Sequence, residues 1–236
     1  MDIAGDNIKA KNANWQFSGD MVKNFEEHIK RSIPYYHDGH KLVESVSDFF
    51  IKDDSNVYEI GSSTGQLIYN LSKRHSHKKA ASFYGIEIEN DMYEFAKKRY
   101  QNENLEFLHE DINLFDMKKS DFIISYYTVQ FIHPKQRQLL IDKIYNSLEW
   151  GGAFVMFEKV RANDARFQDI ITTLYMDFKL ENGYTPDEIV AKQRSLKGVL
   201  EPFSSNANVD MLKRSGFEDI LTIFKYLNFE GILAIK

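Results

Sequence analysis

The chain predicts an α/β fold: a mostly parallel, seven-stranded sheet ending in an antiparallel hairpin, with helices ahead of the first core strand and a helical insertion before the hairpin. Three observations predict it. Short apolar, β-branched and aromatic runs alternate with segments of helical spacing from Asn56 to Phe157, and such alternation implies right-handed βαβ crossovers and one parallel sheet. The alternation then breaks, and two strand-like runs at 220–227 and 231–235, joined by a short turn, must form a hairpin. Finally, Asp121-Phe-Ile-Ile-Ser-Tyr-Tyr127 is nearly all apolar, as a central parallel strand covered on both faces should be.

Composition bounds the reading. With 236 residues, 43% of them apolar, and 18 Phe and 13 Tyr, the chain can bury a sizeable core in a single domain spanning 1–236. A net charge of −5 provides no global basic field for a nucleic-acid backbone, so nucleic acid is not favoured as a partner. Cysteine is absent, which excludes disulfides, thiolate metal sites and a Cys nucleophile. The N-terminus has no apolar signal segment, and no apolar run approaches the ~18 residues of a membrane span. A cytoplasmic protein with no membrane partner and no bound metal is expected.

Residues 1–14 are polar and unpatterned and read as a loose tail. From Trp15, the residues Phe17, Met21, Val22, Phe25 and Ile29 recur at helical intervals up to Pro34, and Leu42 to Phe50 predicts a second helix; together 15–50 form N-terminal cap helices. Val57, Tyr58 and Ile60 form the first core strand, and Gln66 to Arg74 the helix after it. Ser82–Ile88 is the second strand, with Asp91 to Arg99 the helix behind it. Leu105–Leu108 is the third strand and Asp121–Tyr127 the fourth. Pro134 opens a helix through Leu148, Gly151-Gly152 turns the chain, and Ala153–Phe157 is the fifth strand. Residues 161–203 form a lid insertion with a helical period at Phe167, Ile170, Ile171, Leu174 and Phe178, and a second helix follows Pro186. A last helix lies near 209–215. His75 and His77, in a charged run, read as a solvated helix end rather than a metal site.

The chemistry collects where strands end. In an open parallel sheet, ligands sit beyond the carboxyl ends of the strands, where strand order reverses. Asn56-Val-Tyr-Glu-Ile-Gly-Ser-Ser-Thr-Gly65 is a strand handing over to a helix through Gly61 and Gly65, with Ser62 and Ser63 between them; glycine removes the Cβ that would block a ligand from the backbone. Glu59 precedes the loop, where it can order the turn or meet a cationic part of the ligand. Glu87 ends the second strand about twenty positions beyond Gly65, the spacing at which a carboxylate meets ribose hydroxyls. Asp111 follows the third strand, and Tyr126, Tyr127 and Thr128 end the fourth. A dinucleotide site would want three glycines in Gly-x-Gly-x-x-Gly. This loop, with its preceding acid, suits a nucleoside bearing a cationic tail.

The order of elements resembles the Rossmann-like class I S-adenosylmethionine-dependent methyltransferases. Within that superfamily, five stretches are similar to the carboxy-S-adenosylmethionine synthase family: Arg31-Ser-Ile-Pro-Tyr-Tyr36, Tyr127-Thr-Val-Gln-Phe-Ile-His-Pro134, Arg137-Gln-Leu-Leu-Ile-Asp-Lys-Ile-Tyr145, Gly151-Gly-Ala-Phe-Val and Asp177-Phe-Lys-Leu-Glu-Asn-Gly-Tyr184. The resemblance runs from about Trp15 to the C-terminus. It implies S-adenosylmethionine, or its carboxylated form, as cofactor. It implies that the glycine loop holds the methionine part, Glu87 the ribose and Asp111 the adenine, with Tyr36, Ile88, Ile112 and Tyr126 as further contacts. Its chemistry would be carboxyl transfer from prephenate in tRNA wobble-uridine modification.

Two positions depart from the family. Tyr126 stands where it has a ligand-contacting Asn. Gln193 stands where it has the Arg that clamps the added carboxylate, with Arg194 one position later, which turns a helical side chain by about 100°. The sequence therefore favours methyl transfer to a small-molecule acceptor over the family's carboxyl transfer, with Tyr36, Tyr126, Tyr184 and Arg194 as candidates to face the acceptor, and a homodimer as the possible assembly. A non-catalytic scaffold would show an eroded site, but Gly61, Gly65, Glu87 and Asp111 are all present.

Overall fold

The computed structural model describes residues 2–3, 9–10 and 12–236. Two short strands, β1 (Asp2–Ile3) and β2 (Lys9–Ala10), pair antiparallel, and Ala13 N–H donates to Arg194 C=O at 3.0 Å, so part of the expected loose tail is tied down; residues 1, 4–8 and 11 of that call lie outside the described residues. Helices α1 (Asp20–Ser32) and α2 (Tyr36–Ser47) follow. The alternating body is β3 (Asn56–Ile60), α3 (Gln66–Arg74), β4 (Ser82–Glu87), α4 (Asn90–Arg99), β5 (Leu105–His109), β6 (Ser120–Tyr126), α5 (Pro134–Ser147) and β7 (Leu148–Lys159). Then come α6 (Ala165–Glu181), α7 (Pro186–Ser195), α8 (Ser205–Ser215) and the hairpin β8 (Asp219–Tyr226) and β9 (Phe229–Ile235). No helix among the described residues is long and apolar enough to cross a membrane.

The large sheet has seven strands in the order β5-β4-β3-β6-β7-β9-β8. β5, β4, β3, β6 and β7 are parallel, and β9 runs antiparallel to both β7 and β8. The chain moves outward from β3 to β5 and returns to β6, so strand order reverses between β3 and β6. A crevice opens there at the carboxyl ends of the strands.

The inner strands of the sheet are buried on both faces, which is why they read as continuous apolar runs. Val57, Phe83, Phe122, Ile124, Val155 and Phe157 pack on Val43, Leu67, Ile68 and Leu71 of α2 and α3. Their sequence neighbours Tyr58, Ile123, Phe154 and Met156 point the other way, onto Leu140, Ile141, Ile144, Met211 and Leu212 of α5 and α8. The period-two alternation of strand side chains distributes one sequence between two cores.

Three local expectations are corrected. The first core helix starts at Asp20 rather than near Trp15: Gly19 sits at φ 66 and its N–H donates to Asp91 Oδ2 at 2.9 Å, so Trp15 and Phe17 lie in an irregular lead-in. Gly151-Gly152 is not a turn between helix and strand. It lies inside β7, where the register shifts between Ser120/Leu148 and Phe122/Ala153. His75 is buried, not solvated, with its Nε2 2.8 Å from Ser47 Oγ.

Two glycines of like backbone geometry separate packing from conformation. Gly65 (φ 81) would place a Cβ 2.7 Å from the Phe107 ring and 2.9 Å from Ala96 Cβ, whereas Gly151 (φ 78) has nothing within 4 Å. Gly151→Ala should cost only the left-handed penalty, about 1–2 kcal/mol. Gly65→Ala should cost that plus an overpacking term of about 1–3 kcal/mol. Thermal unfolding of the two variants checks this, at roughly 2–4 °C per kcal/mol for a chain of this size; equal losses would refute the packing contribution.

Candidate functional site

At the crevice lies a cavity of about 340 Å³, lined by the β3–α3 loop, the end of β4, α2 and the segment after β6. The β3–α3 loop is pinned from below: Gly61 and Ser62 N–H both donate to Ile86 C=O, at 2.8 and 3.0 Å. Glu87 then ties two loops together. Its Oε2 accepts from Ser63 N–H at 2.7 Å and its Oε1 from Glu89 N–H at 2.9 Å. Ser63 is held at φ 51, a left-handed conformation that a non-glycine residue adopts at a cost. Burial pushes the Glu87 carboxyl up, while the two backbone N–H groups pull it back.

Glu59 is buried against the cavity, and its Oε2 accepts from Ile68 N–H at 3.0 Å. Burial first, and then the nearby Glu87, push its carboxyl up to about 8, opposed by the Ile68 N–H. Its protonated form is therefore favoured at neutral pH.

The facing wall is aromatic. Tyr36, at the start of α2, stacks on Tyr127 (6.3 Å, 22°) and meets Tyr126 edge-on at 5.2 Å. The Tyr126 hydroxyl donates to Tyr36 C=O at 2.6 Å. Tyr127 is left-handed (φ 63) and is fixed by its N–H to Phe157 C=O and by Gln130 Nε2 donating to its own C=O. Burial raises all three phenols and brings His40 down to about 3, so the wall carries no charge. Two buried polar atoms of lining residues, His40 Nε2 and Ser62 Oγ, have no hydrogen-bond partner among the described residues. Such orphans fit a polar ligand. Together, the paired carboxyls, the neutral aromatic wall and the pinned loop fit a nucleoside with a cationic tail.

Of the expected site residues, the cavity gathers Tyr36, Glu59, Gly61, Ser62, Ser63, Glu87, Ile88 and Tyr126. Gly65 stands outside the lining, packed on Phe107 and Ala96. Asp111 also stands outside it, its Oδ1 accepting from both the N–H and Nδ2 of Asn113, and Ile112 is buried in the core beside Ile86. Tyr184 is buried elsewhere: its hydroxyl is 2.8 Å from Ser32 Oγ, and the Arg31 guanidinium lies 4.5 Å from its ring. Arg194 is exposed on α7 and Gln193 lines a different cavity.

Sequence reasoning missed Trp15, Phe17, Phe25, Ile29, Met92 and Val199, which also line the site. Their apolar periodicity is that of ordinary core residues, and nothing local marks them. Glu89 lines the cavity as well.

Residues 57–152 match the methyltransferase-domain family. Over 223 residues the chain is 38% identical to a carboxy-S-adenosyl-L-methionine synthase of Staphylococcus epidermidis, covering 94% of this chain and 97% of the relative. A synthase of the same name from Campylobacter lari is 31% identical over 224 residues, covering 94% of each. Among solved structures, the S-adenosylmethionine-dependent methyltransferase SibL matches at TM-score 0.60 and 14% identity, over 86% of this chain and 55% of that one. Human N-acetylserotonin methyltransferase, in complex with S-adenosylmethionine, matches at 0.57 and 15% identity, over 95% and 63%. The last two are likenesses of fold.

The raised carboxyls have a consequence for stability. Glu59, and Glu158 likewise, bind a proton up to about pH 8 in the folded state but only to about 4.3 when unfolded. Their contribution is full below the unfolded value and is lost as pH rises through about 8, on the order of a few kcal/mol each. The expected outcome is a melting temperature that falls from pH 6 to pH 9, with Glu59→Gln showing a shallower fall and exceeding the parent at the alkaline end. Parallel curves for the two proteins would refute the buried, protonated Glu59.

Proposed function

The chain belongs to the carboxy-S-adenosyl-L-methionine synthase family, and from that premise we propose that it transfers a carboxyl group from prephenate to S-adenosylmethionine, for use in tRNA wobble-uridine modification. The observation that carries this reading is the 38% identity extending over nearly the full length of both chains. It shifts the balance from methyl transfer to a small acceptor, which the sequence alone favoured, toward the carboxylated product.

The residues at the crevice suit this cofactor. Glu87 would accept from the ribose hydroxyls while keeping its hold on Ser63 and Glu89. Glu59 would ionise as a sulfonium or ammonium takes the place of its proton, beside the tyrosine wall. When bound, the sulfonium would acidify its methyl C–H, so that this carbon could lose a proton and take up the carboxyl released by the donor; what is left to this chain is to align the donor with it and to keep water out. Trp15 and Phe17 ahead of α1, and Val199 beyond α7, reach the cavity from outside the sheet, which supports reading the N-terminal helices and the 161–203 insertion as its lid. Phe167, Ile170 and Leu174 are exposed along α6 and support a homodimer, which sedimentation would read directly.

One observation favours the second reading, methyl transfer to a small molecule. Neither Gln193 nor Arg194 lines the cofactor cavity, so α7 presents no guanidinium there to clamp an added carboxylate.

Mass spectrometry of the ligand released from protein purified from cells separates the two. S-adenosylmethionine carrying an extra carboxylate is expected, and ordinary S-adenosylmethionine or its demethylated product alone would favour methyl transfer. Glu87→Ala should weaken S-adenosylmethionine binding by about tenfold to a hundredfold, the range for a lost hydrogen bond to a charged group. It should also lower the melting temperature, because two loops lose their tether. Glu110→Ala, at an exposed carboxylate, is the control; equal affinities in calorimetry would remove the ribose assignment.

A further inference from the structure

A second cavity, of about 450 Å³, opens between the carboxyl end of β7, α6, α7 and the 196–202 segment. Although the chain as a whole is acidic, this cavity is basic: Lys159, Arg161, Lys179, Lys192 and Lys197 line it against a single acid, Glu201. Three of the five cations have their own company or solvent. Arg161 lies 3.9 Å from Glu201, Lys192 contacts His28 Nε2 at 2.6 Å and Ser32 Oγ at 2.7 Å, and Lys197 is exposed.

Lys159 and Lys179 differ. Lys179 is only 8% exposed and Lys159 is partly buried. Both ammoniums approach the same ring, each 4.5 Å from the centroid of Tyr175. Among the described residues neither has a carboxylate within salt-bridge distance or a hydrogen-bond acceptor. Burial, and for Lys159 the neighbouring Lys179 and Arg161, bring them down to about 7 and about 8. Two cations drawn out of water onto one aromatic ring, with no anion beside them among the described residues, are costly. A bound anion would relieve both at once.

We infer that this cavity is a carboxylate-binding site in which Lys159 and Lys179 together hold a small organic dicarboxylate, the donor substrate. The assignment of the ligand as donor rests on the carboxyl-transfer reading above. The position favours it: Lys159 is the last residue of β7, at the same carboxyl edge of the sheet as the cofactor cavity. The two cavities share a wall. Gln130 lines the cofactor side, and its Oε1 accepts from Lys159 N–H at 2.9 Å. Val199 faces the cofactor cavity and its neighbour Leu200 the basic one. The lysine pair thus supplies the positive charge that α7 lacks at Gln193, which itself lines this second cavity.

The test is calorimetric titration of the purified protein with prephenate and, as a plain dicarboxylate, with succinate. It compares the parent with Lys159→Met, Lys179→Met and the charge-keeping Lys159→Arg. Both Met variants keep an apolar stem and shed a desolvated charge, so their melting temperatures should not fall. Dicarboxylate affinity should drop about tenfold or more in both, as for a lost hydrogen bond to a charged group. It should be largely kept in Lys159→Arg, with S-adenosylmethionine affinity the same in all four proteins. Dicarboxylates that bind no protein, or that bind the Met variants as tightly as the parent, overturn the site. Product assays tell this failure from that of the function. Carboxylated cofactor made undiminished by Lys159→Met removes the lysine site and leaves the carboxyl-transfer reading. Succinate binding that depends on the lysines, without any carboxylated product from prephenate, keeps the anion site and removes the reading.

Discussion

The crevice depends on one carboxylate. Glu87 leaves the end of β4 and grips Ser63 on one loop and Glu89 on the next, so that two cavity-lining loops are set by a single side chain. The grip works because β3 and β4 are parallel neighbours in register, with Ile60 opposite Ile86, which delivers the β3–α3 loop directly beside the end of β4. Burying an acid costs free energy, and two charge-assisted hydrogen bonds from backbone N–H groups offset it. The left-handed Ser63 is held in place by the same contact. The shapes of both loops are therefore one property of one residue.

Around that carboxylate the protein suppresses charge. Desolvation keeps Glu59 protonated, His40 neutral and the three tyrosine phenols un-ionised. Beside the hydrogen-bonded Glu87 the cavity thus keeps a second acid, Glu59, in its protonated form, from which a proton can be given up to a cation. On the other side of Gln130 the sign reverses: cations crowd a cavity with a single acid. The two pockets at the same edge of the sheet thus differ in the sign of the charge that lines them.

The tyrosine wall shows how packing and function share residues. Gly39 on α2 has no Cβ, and one built there would lie 2.1 Å from the Tyr126 hydroxyl. The missing atom lets Tyr126 reach Tyr36 C=O, and that hydrogen bond positions both rings. The Tyr126 position, one of the chain's departures from its family's pattern, is in this way supported from the neighbouring helix.

The sequence by itself determined the parts of this protein governed by short-range periodicity. Alternating strand and helix patterns, the all-apolar β6 and the broken alternation near the C-terminus set the order of elements. The glycine loop with its two acids marked the ends of β3 and β4, where the structure has a cavity, because turn chemistry and strand-end carboxylates are written in adjacent residues. Local pattern misled where backbone geometry overrode it: Gly19 delayed the first core helix, and Gly151-Gly152 became an irregularity inside β7. What only the tertiary structure decided were the meetings of residues far apart in the chain. Trp15, Met92 and Val199 reach one cavity from three separate segments, Tyr184 packs with Ser32 instead of facing the ligand, and Lys159 and Lys179 converge on Tyr175. No spacing rule encodes such encounters. They follow from sheet order and helix packing, which bring together side chains that along the chain look like ordinary core or surface residues.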